Sequence, residues 1–473
     1  MKRSVPAALA AAAVALGAPA IPQAQQDIVA RARAIHERVI ALDTHNDIDP
    51  QNFTASCNYT MRLTTQVNLP KMKEGGLDAS FFIVYVGQQD PRNVPDALSA
   101  AGYERAYRAA IAKFDAVHRL TEQIAPNEIE LALTAADVTR IAKSGKKVAV
   151  IGIENGYPIG QDIRRVKEFY DRGGRYMSLA HNGHNQLADS HTGEATGEWK
   201  WGGMSPLGRQ VIQEMNRLGM MVDISHPSKA TILQVIGLSK APVIASHSSI
   251  RKLADVSRDL DDEMLMAVKT NGGVVQLNAL PGFLKVDPKE RAPAIASLRA
   301  EFGLPSGRGG GGGAGRAGGG NAPPAAYRCP VETASTSATA VGRGGRPSTG
   351  SGRAGAPGPE TLTADRRAEF ERRMTQIDRQ WPAAARATVK DFVDHMDYAV
   401  KLIGVDHVGI ASDFDGGGGI DGWNSAAETF NVTLEMVQRG YTEEQIAKIW
   451  SGNLLRVWGE VENVAKQIQA GSR

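Results

Sequence analysis

Short apolar runs recur along the chain at residues 39–44, 79–86, 148–153, 176–180, 221–225, 243–246, 273–277 and 408–412. They have strand length, and continuous apolar character marks strands buried on both faces. Between most of them apolar residues return every three or four positions, predicting helices over 96–123, 163–172, 205–218, 228–238 and 261–270. Strands joined by helical crossovers make a parallel sheet, and about eight of them close into a (β/α)8 barrel of the TIM type. A doubly wound open sheet is the alternative, but it would struggle to bring the first and last strands into one site.

The runs end on polar residues of one chemical kind. In ALDTHND, His45 and Asp47 stand two apart, and strand periodicity points both the same way. Farther along, the runs end at Glu154 (VAVIGIENG), His181 (YMSLAHN), His226 (MMVDISH), His247 (PVIASHS) and Asp413 (VGIASDFDG). One strand-end histidine is ordinarily a hydrogen-bonded rim residue. Several on independent strands gather at the C-terminal rim, where barrels of this type carry their sites. His45 and Asp47 are candidates to hold one divalent ion, His226 and His247 a second, with Glu154 shared between them. Zinc is the default for such nitrogen and oxygen donors outside the cell; manganese and cobalt suit the same set.

Composition adds further expectations. Lys2 and Arg3 precede an apolar run over 5–16 and a small-residue cleavage site at 18–20, so residues 1–20 are expected to be a signal peptide. The run is shorter than the ~20 residues that span a bilayer, so no membrane anchor is expected in the mature chain. The mature protein is then exported, periplasmic or secreted, with a single catalytic domain over 27–467. Residues 305–360 are mostly Gly, Ala, Arg, Ser and Pro, a composition that cannot offset its own ordering entropy, and a disordered insertion after the seventh strand is expected there. The net charge is only +3 in 473 residues, which argues against a nucleic-acid partner. Cys57 and Cys329 are the two cysteines; a disulfide, free thiols and an interchain bond all remain open.

The motifs resemble a family. DTHND (43–47), GIENG (152–156), LAHNGHNQLADS (179–190), VDISHPS (222–228), SHSSIRKLADVSRD (246–259), DHVGIASDFDG (406–416) and WSGNLLRVW (450–458) are similar, in order, to the membrane (renal-type) dipeptidases. These are zinc peptidases of the amidohydrolase-like barrels, and the glycine-rich stretch is the main departure. The resemblance implies His45 and Asp47 on one zinc, Glu154 bridging, and His226 and His247 on the other. It further implies His181 at the scissile carbonyl oxygen, Arg258 at the dipeptide's free carboxylate and Asp413 in proton transfer. Homodimers are a habit of that family.

The resulting expectation is an exported binuclear zinc dipeptidase acting on dipeptides with a free C-terminal carboxylate. Other amidohydrolase-type enzymes, acting on cyclic amides, N-acyl amino acids or β-lactams, are the alternative. They commonly open with two histidines two apart and often bridge with a carboxylated lysine, where this chain has Asp47 and Glu154. A catalytically silent metal- or peptide-binding barrel would have no need of Asp413. Asp415 is a weaker candidate for proton transfer and Arg251 a neighbour that could stand in for Arg258. His184 and Asp189 either line the pocket or hold their loop, and His407 is expected on the opposite rim.

Overall fold

The computed structural model describes residues 23–88, 91, 94–305, 328–332 and 359–471. The proposed signal peptide and most of the glycine-rich stretch lie outside them. All eight expected strands form: β1 Leu42–Asp47, β2 Ala79–Tyr85, β4 Lys147–Glu154, β5 Gly174–Ser178, β6 Met221–Asp223, β7 Ile244–Ala245, β8 Val274–Asn278 and β9 Val408–Ala411. They pair in parallel in chain order. A ninth, β3 Ile129–Leu131, pairs only with β4 and was not expected, because three residues are too few to show a period. Asp47 N–H donates to Phe414 O at 2.9 Å and Ser412 N–H to the Asp43 carboxylate at 2.9 Å, which joins β1 to the end of β9 and nearly closes the barrel.

Helices start where their sequence supplies caps. Ser205, Ser228 and Asp261 each accept a hydrogen bond from the backbone three residues on, so the helices run over Pro206–Leu218, Lys229–Leu238 and Asp262–Asn271. Inside the barrel, Leu42, Phe81, Val148, Val150, Tyr176 and Met221 form one cluster with Leu454, Val457, Trp458 and Val461 of the terminal helix Asn453–Gly471. That helix seals the N-terminal end of the barrel. The opposite end is left for polar residues.

The first strand is not regular. Leu42 and Asp43 pair with Ala79 and Ser80, but Asn46 and Asp47 pair with Phe82 and Ile83, so β1 carries one extra residue. Such a bulge resets which side chains face inward. Leu42 packs in the interior cluster, and beyond the bulge His45 also faces inward, its ring meeting Tyr176.

Cys57 and Cys329 form a disulfide that ties residues 328–332 to the rim. Thr64 N–H donates to Pro330 O at 2.6 Å, and Glu332 pairs with Lys71 at 2.7 Å. The bond closes a loop of 272 residues of separation, and such crosslinks stabilise by about 2 to 4 kcal/mol. A Cys57→Ser/Cys329→Ser double variant is expected to lose about that much in urea titrations; an unchanged midpoint would show that the crosslink adds nothing.

Candidate metal centre

Glu154, the last residue of β4, sits buried among four imidazoles. Its Oε1 lies 2.8 Å from His226 Nε2, 3.3 Å from His247 Nε2 and 3.5 Å from His181 Nε2. Its Oε2 lies 3.5 Å from His45 Nε2. Each histidine comes from the end of a different strand: β1, β5, β6 and β7. Three overlapping donor sets result, His45/Glu154/His247, Glu154/His181/His226 and His45/Asp47/Asp413, each with its donor atoms within 4.8 Å of one another.

Hydrogen bonds behind the rings determine which nitrogen carries the proton. Tyr176 donates its hydroxyl to Thr44 O at 3.0 Å, so it accepts from His45 Nδ1 at 3.1 Å. Ser246 donates to Asp223 at 2.7 Å, so it accepts from His247 Nδ1 at 2.8 Å. Both rings therefore spend Nδ1 behind the cluster and turn Nε2 into it. His226 Nε2 and His247 Nε2 are 3.0 Å apart, while His226 Nδ1 and Asp47 Oδ1 are buried without a hydrogen-bond partner among the described residues. The orphaned Asp47 oxygen costs free energy unless a cation or a donor satisfies it, and four imidazole Nε2 atoms converge on Glu154 nearby. The donor chemistry fits divalent ions.

Electrostatics carry the same imprint. Burial opposes the charge on Glu154, yet His181, His45 and the other imidazoles hold its carboxyl well below the usual range. Burial also opposes charge on His45, but Glu154 overcomes it and lifts the imidazole to about 9. Burial and the Glu154 charge push Asp47 up to about 7. Burial, with Arg258 and His45 or His181 nearby, keeps His247 and His226 well below the ordinary imidazole value, hence neutral and able to ligate.

A cavity of about 530 Å³ opens over this cluster, lined among others by Tyr85, Arg258, Phe283 and Asp413. Arg258 is 4% exposed; it donates to Ser248 Oγ at 2.6 Å and His247 O at 2.8 Å, while its Nε has no partner among the described residues. Arg251 is instead tied up on the surface by Glu194 and Asp255. Asp413 accepts from Asn278 Nδ2 at 2.9 Å, and burial raises its pKa. Both His226 (φ 77°) and Asp413 (φ 58°) adopt left-handed backbone, uncommon outside glycine and concentrated at functional sites. A Cβ on Gly416 would fall 2.4 Å from both Asp413 Oδ1 and Asp47 Oδ2, so only glycine lets these carboxylates share the spot.

The weaker candidates have other partners. Asp415 accepts the Gln66 and Val67 N–H groups, and His184 pairs with Asp189, whose carboxylate also takes the N–H groups of Lys200, Trp201 and Gly203. His407 bonds Gly273 O, just before β8 and so on the far rim. Tyr176, Tyr85, Asp223, Ser246, Asn278 and His191 were not singled out from sequence. Asp223 and Ser246 stand within two or three residues of His226 and His247, the one signal available; the rest reach the site only through folding.

The membrane dipeptidase (peptidase family M19) sequence model matches residues 29–472. The chain is 28% identical to dipeptidase aclJ of Aspergillus oryzae over 442 residues, covering 91% of this chain and 80% of that protein. It is also 28% identical to dipeptidase tcpJ of Claviceps purpurea over 407 residues, covering 86% and 72%. Among solved structures, the probable dipeptidase PvdM of Pseudomonas aeruginosa matches with a TM-score of 0.70 and 29% identity, covering 93% of this chain and 100% of that one. A metallopeptidase of Rhodobacter sphaeroides, liganded with a phosphinate mimic of L-Ala-D-Ala, shares the fold with a TM-score of 0.59 at 21% identity, covering 89% and 99%.

Proposed function

The chain belongs to the membrane dipeptidase family, and from that premise we propose that it is an exported, binuclear zinc dipeptidase acting on dipeptides with a free C-terminal carboxylate. The observation that carries the reading is Glu154 ringed by four imidazoles, with the buried Arg258 lining the same cavity. His45 and Asp47 would hold one ion, His226 and His247 the other, and Glu154 both. Such a pair supplies Lewis acidity toward the peptide carbonyl and makes a nucleophilic water available near neutral pH.

The protein's own groups do the rest. Arg258 is already oriented by Ser248 and the His247 carbonyl, and it offers its uncommitted N–H donors to a terminal carboxylate. A chain continuing past that carboxylate would meet the buried guanidinium, so tripeptides are excluded. His181, kept neutral by burial and the nearby Arg258 with a pKa of about 4, donates one hydrogen bond to the carbonyl oxygen as charge develops. Asp413 takes a proton from the attacking water and returns it to the leaving amine, its burial-raised pKa bringing it toward working pH. Export is supported by the Cys57–Cys329 disulfide, a bond of oxidising compartments. No helix among the described residues is long and apolar enough to cross a membrane.

The test is a panel of Ala-Ala, Gly-Ala and Ala-Ala-Ala with and without a chelator, alongside elemental analysis. Hydrolysis of the dipeptides alone, abolished by the chelator and restored by zinc, is expected. Equal turnover of the tripeptide, or activity indifferent to chelation with no metal present, would refute the reading.

A further inference from the structure

A second chamber of about 560 Å³ adjoins the cavity, and Asp47, Tyr85 and Gly416 line both. Its wall carries two cations, Lys113 and Arg328, and three carboxylates, Asp47, Asp49 and Asp415. The carboxylates are committed elsewhere. Asp49 caps the turn at Pro50–Asn52 through Gln51 N–H at 3.0 Å, Asp415 accepts the Gln66 and Val67 N–H groups, and Asp47 faces His45 and Asp413. The cations are free of such ties. Neither Lys113 nor Arg328 makes an ion pair among the described residues, and Lys113 Nζ meets only the Tyr85 ring, 5.8 Å from its centroid.

Lys113 is half-buried, and burial disfavours its charge, which only the more distant Asp47, Glu154 and Asp49 support. A desolvated ammonium without a partner is a cost that an arriving anion offsets. Arg328 is held in place as well: Cys329 beside it is bonded to Cys57, and Pro330 receives the Thr64 N–H. This segment lies inside the 305–360 stretch, so two residues of that stretch, Arg328 and Pro330, contribute to the chamber wall.

We propose that the chamber is a specificity subsite in which Lys113 and Arg328 receive an acidic side chain on the N-terminal residue of the dipeptide. The inference rests on the dipeptidase reading, which puts the C-terminal carboxylate at Arg258. Arg258 lines only the first cavity. From a scissile bond at the ion cluster, the N-terminal residue therefore extends past Asp47 and Tyr85, toward the two cations.

The experiment compares kcat/KM for Glu-Ala, its uncharged near-isostere Gln-Ala, Lys-Ala and Ala-Ala, using the metal-loaded full chain. Charge-assisted hydrogen bonds at such a site favour Glu-Ala over Gln-Ala by about tenfold or more. Lys113→Met and Arg328→Gln should each lower that ratio, the double variant should bring it near one, and Lys113→Arg should retain most of it. Arg328 is exposed, so its variant carries the test even where Lys113→Met does not fold. A wild-type ratio at or below one, or a ratio untouched in the variants that fold, overturns the subsite while leaving the dipeptidase reading intact. Failure to cleave any of the four dipeptides removes both.

Discussion

Glu154→Gln is expected to lose metal and, with it, turnover of every dipeptide. The carboxylate is buried, two of the three donor sets contain it, and its two oxygens between them face four imidazoles. Glutamine keeps the shape and removes the charge that draws two cations together. Breaking a buried charge set costs about 3 to 5 kcal/mol, which is roughly 10² to 10⁴ in an ion's binding constant. Competition with a chromophoric chelator measures this directly, without relying on activity. A Glu154→Gln protein that still holds two ions at wild-type affinity would show that this carboxylate is not shared between them, and the binuclear reading would fall.

Asp413→Asn has the second-largest expected effect, and it should separate proton transfer from metal holding. Loss of a positioned general acid or base typically costs about 10² to 10⁴ in rate. Asparagine still accepts from Asn278 through its carbonyl oxygen, so folding and ion content should persist. In the wild type, Asp413 must be ionised to take the proton, and burial raises its pKa. The acidic limb of the kcat profile should therefore lie above the ordinary aspartate range, and activity should fall as pH drops through it. Retained kcat in the variant would remove Asp413 from the mechanism. A variant that loses one ion would reassign it as a ligand, consistent with its place beside His45 and Asp47.

Much of this site was legible because strands buried on both faces are apolar throughout, so a His or Glu at the end of one stands out against its run. Glu154, His226 and His247 were found in that way, and the fold brings them within 3.5 Å of one another. The helices were legible from period and caps, as Ser205, Ser228 and Asp261 show. β3 escaped because a three-residue edge strand has no pattern of its own. Lys113 escaped because on a long helix a lysine looks like any solvated charge until the neighbouring chamber exists.

What the amino-acid sequence determined alone was the rhythm of strands and helices and the chemical identity of the strand-end residues, since both follow from local periodicity. Tertiary structure decided where those residues point. Alternation counted from Leu42 would turn His45 away from the interior, and it is the extra residue in β1, created by pairing with β2, that brings it in. Likewise, the tautomers of His45 and His247 depend on Tyr176 and on Asp223 through Ser246, groups on other strands whose approach no local pattern encodes. Direction and protonation at this site belong to the closed barrel, because each is set by a neighbour distant in the chain.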